Sequence, residues 1–280
     1  MSNSAQAVKD KLKNISREKN VDFNFVMRFY MYDRFVERLS KSKYKDNFIL
    51  KGGFYLSKLF GLDNRSTMDI DTAIRKAEFT EENLIKMVNE IINIDVGDNV
   101  KFKIEKTEPI RDEDEYGGLR ITINFMLENI KDKFHIDLAT GDPIYPRPDN
   151  YRYESLIGDE IYKVWSYNLE TVLAEKIETI LSKLETSSRM KDYYDIYLIY
   201  KFKFDKINKE KFRGAVEKTF KKRKFDADLI TNLNIVKESK VLRDKWLSYS
   251  RKNSYARDVE FEETLKCLEQ FIDTIVPVAV

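Results

Sequence analysis

Apolar residues recur at alternating steps of four and three through Phe25, Phe29, Tyr32, Val36 and Leu39. That spacing predicts one helix stripe, with Asp22 or Asn24 as its cap. Phe48, Ile49 and Leu50 then lead into Lys51-Gly52-Gly53, and two glycines ahead of the short apolar run 54–60 predict a tight turn opening a helix. Residues 68–74 predict a strand in which Ile70 alternates with an acid on either side. Thr80 caps a predicted helix over Glu81–Ile92, with Leu84, Met87, Val88, Ile91 and Ile92 facing inward. Stretches 100–104, 119–127 and 134–139 alternate as strands, and a polar turn over 128–133 makes the last two a hairpin. This is an α+β or α/β unit around a small mixed sheet.

Residues 141–167 contain Pro143, Pro146 and Pro148 and predict an irregular crossover. Beyond it the periodicity is helical over 169–184, 189–200, 209–220 and Phe261–Ile275. The expected organisation is a mixed domain with an N-terminal helix over residues 1–150, then an all-helical domain over 151–280.

Composition narrows the chemistry. The chain is 42% hydrophobic and 35% charged, a folded profile, and no apolar run reaches the roughly 18 residues of a membrane span. The polar start lacks the apolar run of a signal peptide, so the expected compartment is the cytoplasm. A single cysteine, Cys267, excludes an internal disulfide and a cysteine-rich zinc site. A single histidine, His135, leaves little room for a histidine-based hydrolase, and its strand neighbours give it a structural role. The net charge of +2 creates no global field, although 218–224 is basic and 111–115 is acidic. The basic run, with Phe220 inside it, suits either an RNA backbone or a solvated helix face. Chemistry must rest on carboxylates, lysines and arginines.

Asp69-Ile70-Asp71 carries most of that weight. On a strand, residues two apart share a face, and two such carboxylates repel unless a cation lies between them. Magnesium, or manganese in its place, takes oxygen ligands and fits. Asp137, in the alternating strand His135-Ile136-Asp137-Leu138, supplies a third acid. The helix start at Gly52-Gly53 offers backbone N–H groups to phosphate.

In the helical half, Lys176 falls inside an apolar stripe that includes Leu173, Ile177 and Ile180. Two readings stand open: a lysine snorkelling from the stripe's edge, or an ammonium aimed at phosphate in an interdomain cleft. Arg189, Lys191, Asp192 and Asp195 are spaced for helix-surface ion pairs, with Ser187 or Ser188 as cap. The apolar neighbours of Asp192 and Asp195 would instead turn both acids towards a cleft.

Gly-Gly, then Asp-x-Asp, then a third aspartate on a later strand resembles the DNA polymerase beta-like nucleotidyltransferase superfamily. The likeness is closer to the AbiEii-type (abortive infection, type IV toxin) nucleotidyltransferases, which include the MenT toxins. Leu50-Lys51-Gly52-Gly53, the stretch from Arg65 to Asp71, the stretch from His135 to Asp142, Leu173-Ala174-Glu175-Lys176 and the stretch from Arg189 to Asp195 carry it. The resemblance implies a polymerase-beta-like domain followed by a helical one. It implies metal at Asp69, Asp71 and Asp137, with Lys176 and Asp192 completing the catalytic set. Gly52, Gly53, Ser57, Arg65, Lys176, Arg189, Lys191 and Asp195 would bind nucleotide. One departure is Phe54, which stands where many superfamily members have serine or threonine, so Ser57 or backbone must supply that contact. The implied reaction moves a nucleoside monophosphate from NTP to an acceptor hydroxyl, such as the 3′ end of tRNA. The implied setting is a toxin of abortive phage infection with a cognate antitoxin encoded nearby and no membrane partner. A metal-dependent RNA nuclease and a non-catalytic nucleotide- or RNA-binding module are the rival readings.

Overall fold

A computed structural model describes residues 5–110 and 117–275, so the acidic run at 111–115 lies outside the described residues. The chain divides into two compact units, one of residues 1–141 with 149–166 and the other of 142–148 with 167–280.

The first unit begins with α1 (Ala5–Glu18), α2 (Phe23–Lys41) and β1 (Phe48–Leu50). It continues through α3 (Gly52–Phe60), β2 (Asp69–Ile74), α4 (Glu81–Ile92), β3 (Val100–Ile110) and β4 (Gly118–Leu127). It ends with β5 (Ile130–Ala139), β6 (Asp149–Glu154) and β7 (Ile161–Ser166). The strands form one mixed sheet in the order β3-β4-β5-β2-β1-β7-β6. The β2–β5 and β1–β7 pairs are parallel, and the others are antiparallel.

Caps and core follow the sequence pattern. Asp22 accepts from the amides of Asn24 and Phe25 at the start of α2, and Thr80 accepts from Asn83 at the start of α4. Helices α2 and α3 meet the sheet through Phe29, Tyr32, Phe54 and Phe134, whose ring centroids lie 5.2–5.8 Å apart. Each ring so buried contributes about 1.5–3 kcal/mol. Ile70, Ile136 and Ile121 are fully buried in register on β2, β5 and β4. This fixes one face of the three strands as core and leaves the other for polar side chains.

Three expectations need correction. The segment 141–167 is not an irregular crossover, because most of it forms the β6–β7 hairpin on the sheet edge beside β1. Buried Asp33 on α2 holds the hairpin, accepting from Tyr153 Oη at 2.5 Å and from the Leu156 amide, with Lys58 Nζ 3.3 Å away. The chain therefore crosses between the units after Gly141 and after Pro148, and passes for the last time into the helical unit only after Ser166. The β4–β5 turn is also shorter than 128–133, since Leu127 already pairs with Ile130. Finally, α1 was not anticipated, because only Ala5, Val8 and Leu12 of it are buried.

The second unit holds α5 (Leu169–Lys183), α6 (Met190–Lys203), α7 (Lys209–Lys222), α8 (Leu229–Glu238), α9 (Lys240–Lys252) and α10 (Phe261–Ile275). Helices α8 and α9 escaped the periodicity because Ile230, Ile235, Val241 and Leu247 are exposed and blur the inward stripe. Among the described residues no helix is long and apolar enough to cross a membrane.

Candidate active site

Strand register assembles the acids. Asp71 on β2 pairs directly with Asp137 on β5, and Asp69 pairs with His135. On the next strand, Arg120 pairs with Asp137 and Thr122 with His135. The face opposite the isoleucine row is therefore a grid: Asp71, Asp137 and Arg120 in one row, and Asp69, His135 and Thr122 in the next. Neighbouring strands lie about 4.8 Å apart, so Asp71 and Asp137 are like charges at close range.

The glycine turn is built onto Asp71. The Asp71 carbonyl accepts from Lys51 N at 3.0 Å, and its carboxylate Oδ2 accepts from Gly53 N, also at 3.0 Å. Gly52 has φ +59°, and a Cβ there would lie 2.5 Å from Asp71 Oδ2. Glycine is required both for the left-handed conformation and for the close approach. A Cβ on Gly53 would stand 3.0 Å from Arg65 Nη2 and 3.1 Å from Thr67 Oγ1. The N-terminus of α3 is thus pressed against the acid strand, and its dipole favours negative charge there.

Arg120, a residue the sequence reading did not single out, is the cation within the grid. Its Nε and Nη2 donate to the two oxygens of Asp137, each at 2.7 Å, and Nη2 lies 3.5 Å from Asp69 Oδ2. Burial raises the Asp69 carboxyl above its usual range and Asp137 pushes it further, while Arg120 pulls the other way. The hydrogen bonds to Asp137 in turn raise Arg120. His135 Nδ1 lies 3.1 Å from Thr122 Oγ1, which ties its ring into the sheet.

Three carboxylates on one face of adjacent strands are the oxygen donors a hard divalent cation takes. By chemistry and backbone register the set fits such an ion. The side chains are turned elsewhere, Asp137 onto Arg120 and Asp71 onto the Gly53 amide. Among the described residues no three acidic, histidine or cysteine side chains are gathered as a ready metal cage.

The family model for the nucleotidyl transferase AbiEii toxin, type IV toxin–antitoxin system, matches residues 34–267. The chain belongs to the AbiEii family. Its fold is shared with the JHP933 crystal structure from Helicobacter pylori, at 15% identity and TM-score 0.52, covering 88% of each chain. A second H. pylori crystal structure, of a candidate nucleotidyltransferase, gives 17% identity and TM-score 0.46 over 88% of this chain and 91% of that one. No curated protein matches the sequence. This AbiEii chain is therefore a toxin-type nucleotidyltransferase, an enzyme of a family that uses NTP and a divalent cation and implies an antitoxin partner.

The remaining expected site residues of the AbiEii chain are placed as follows. Ser57 is buried and its hydroxyl donates to the Gly53 carbonyl at 2.7 Å, so it braces α3 from within. Arg65 is buried beside Gly53, with Nη1 donating to the Ser66 carbonyl. In the helical unit, Lys176 does not snorkel. It is buried, and Nζ donates to Asp192 Oδ1 at 2.7 Å and to Asp195 Oδ2 at 2.6 Å. Burial would lower Lys176, but the two aspartates outweigh it and raise the group. Burial would likewise raise Asp192, yet Lys176 and Arg189 hold it well below the usual carboxylate range. Arg189 Nε donates to Asp192 Oδ2 at 2.8 Å, and Lys191 is exposed. Arg189 is itself the cap of α6, and its amide bonds Ser187 Oγ at 3.1 Å. The basic run at 218–224 is only partly a solvated face. Arg223 turns inward, with Nη1 donating to Glu178 at 2.7 Å and Nη2 to Asp142 at 3.2 Å.

A signal for Arg120 was present. Leu119-Arg120-Ile121-Thr122-Ile123 alternates, which places Arg120 and Thr122 on the polar face. Counting back from a two-residue turn at Glu128-Asn129 pairs Arg120 with Asp137, whereas the longer turn hid that register.

Proposed function

We propose that this AbiEii chain transfers a nucleoside monophosphate from NTP to a hydroxyl of RNA, with the tRNA 3′ end as acceptor. Growth arrest during phage infection would be the outcome. The observation that carries the reading is the direct pairing of Asp71 with Asp137, with the glycine turn built onto Asp71. Phosphate transfer is helped by a cation held on carboxylates beside backbone donors at a helix N-terminus, and the paired acids and the α3 start are the groups that would serve those two ends.

A divalent cation, magnesium or manganese, held by Asp69, Asp71 and Asp137 would supply charge neutralisation at the reacting phosphate and ease deprotonation of the acceptor hydroxyl. The chain's own groups do the rest. The acceptor oxygen attacks the α-phosphorus, the bond to the bridging oxygen breaks, and pyrophosphate leaves with that electron pair. Asp137 takes the hydroxyl proton at a carboxylate oxygen. The α3 N-terminus orients the phosphates, and Gly52 and Gly53 permit their close approach. Arg65, behind Gly53, adds positive charge to that turn. In the helical unit, Arg189 and Lys191 supply positive charge at the start of α6. Lys176, Asp192 and Asp195 act as the buried triad that fixes Arg189.

The test is incubation of the purified chain with total RNA and each α-labelled NTP in turn, followed by gel analysis. Labelled RNA lengthened by nucleotides, lost in Asp71→Asn, supports transfer. RNA shortened without NTP points to a nuclease, and NTP binding without turnover points to a binding module. Either result overturns the proposal. Induced expression in cells with and without the neighbouring antitoxin gene tests the toxin setting, with Asp71→Asn expected to relieve growth arrest.

A further inference from the structure

The acid face already contains a cation, and it belongs to the protein. Arg120 projects from β4 onto the third carboxylate with the fork geometry guanidinium makes with carboxylate, both contacts at 2.7 Å. It also reaches Asp69 at 3.5 Å. The pairing is set by register, since Arg120 is the cross-strand partner of Asp137. Arg120 and Asp69 are each about a third exposed at the side chain, and Asp137 rather less. The guanidinium is therefore not locked into a core and has room to swing aside. Both Asp137 oxygens are committed to it, which accounts for the lack of a ready three-acid cage among the described residues.

We propose that Arg120 is a resident counter-cation that holds the acid face together without metal and competes with a divalent ion for Asp137. Metal entry would exchange the Arg120 fork for ion–carboxylate bonds and swing a guanidinium off the site. The inference rests on the reading of Asp69, Asp71 and Asp137 as cation ligands. On that reading Arg120 is a positioning residue. Without it Asp71 and Asp137 would repel across adjacent strands, and with it a divalent ion must displace a positive charge to bind.

The two roles predict opposite signs in two measurements. Removing a unit charge from a few ångström of a divalent ion, at a partly exposed site with water-like screening, favours ion binding by about tenfold. Full-length wild type, Arg120→Gln, Arg120→Lys and Asp69→Asn are titrated with Mn2+ by calorimetry and melted in EDTA and in Mn2+. Arg120→Gln is expected to bind Mn2+ about tenfold tighter than wild type, by that charge argument. It should melt lower than wild type in EDTA and gain more from Mn2+. Arg120→Lys keeps the charge but not the fork and should fall between them, and it decides the matter if Arg120→Gln does not fold. Equal or weaker Mn2+ binding by the Arg120 variants, with binding lost in Asp69→Asn, overturns the proposal and leaves the cation ligands standing. Wild type binding Mn2+ no better than Asp69→Asn overturns both.

Discussion

Replacing Lys176 with methionine removes one ammonium and leaves two aspartates facing each other inside the helical unit. Asp192 and Asp195 have no side-chain exposure, and each lies within 2.7 Å of Lys176 Nζ. Methionine fills most of the lysine volume, so the loss is one of charge compensation and not of packing. Removing one partner from a buried pair costs about 3–5 kcal/mol. With a urea dependence of about 2 kcal/mol per molar, the midpoint falls by about 2 M. Trp246 on α9 lies in the helical unit and Trp165 on β7 in the other, so a Trp165→Phe background makes fluorescence report the helical unit alone. The pH dependence supplies a second check. In wild type, Asp192 is depressed, so its contribution is complete above the unfolded carboxylate range and is lost only as pH falls below it. Lys176 is raised, so its contribution is complete below the unfolded lysine value and is lost only at high alkalinity. Wild-type stability from this triad is therefore flat between about pH 5 and 9. In the variant the two buried aspartates lose the Lys176 ammonium while only Arg189 stays on Asp192, so their charge is less compensated and stability should increase as pH falls from 7 towards 5. Adding Asp192→Asn and Asp195→Asn to Lys176→Met should recover most of the loss, since the charges then go together. A midpoint shift under about 0.5 M, or a variant that weakens on mild acidification, would refute the argument.

Gly52→Ala forces a Cβ into the left-handed region and to within 2.5 Å of Asp71 Oδ2, so it should cost at least about 1–2 kcal/mol and abolish label transfer. Urea titration with the gel assay checks this, and an active variant of unchanged stability would show that the close approach is dispensable. Asp33→Ala strands Lys58 in the core and frees the β6–β7 hairpin, so a loss of about 3–5 kcal/mol is expected by Trp165 fluorescence in a Trp246→Phe background. A change near 1 kcal/mol would mean that Lys58 finds solvent by relaxation.

What was legible in the sequence was set by clear local periodicity and caps, a reading that missed α1, α8 and α9. The bounds of α4 and α10 and the strand carrying Asp69 and Asp71 followed from alternation and caps, because those signals act within a few residues. The β6–β7 hairpin was hidden because 141–167 is rich in proline and polar residues, and the hairpin is held from outside by Asp33 and Lys58. Ser57 looked available for phosphate, but its helix turned the hydroxyl inward.

The acid face shows the division most clearly. By itself the chain determined that Asp69 and Asp71 share a strand face, that Gly52-Gly53 opens a helix and that Asp137 alternates with apolar residues. Only the tertiary structure decided that Asp137 stands beside Asp71, that Gly53 donates to that carboxylate and that Arg120 takes the third acid. Likewise, the sequence placed Lys176 in an apolar stripe, and the packing of α6 on α5 made it the centre of a buried triad. Periodicity assigns a residue to a face, a local property of backbone geometry. Which residues then become neighbours depends on strand register and helix contact, which are set by burial summed over the whole fold.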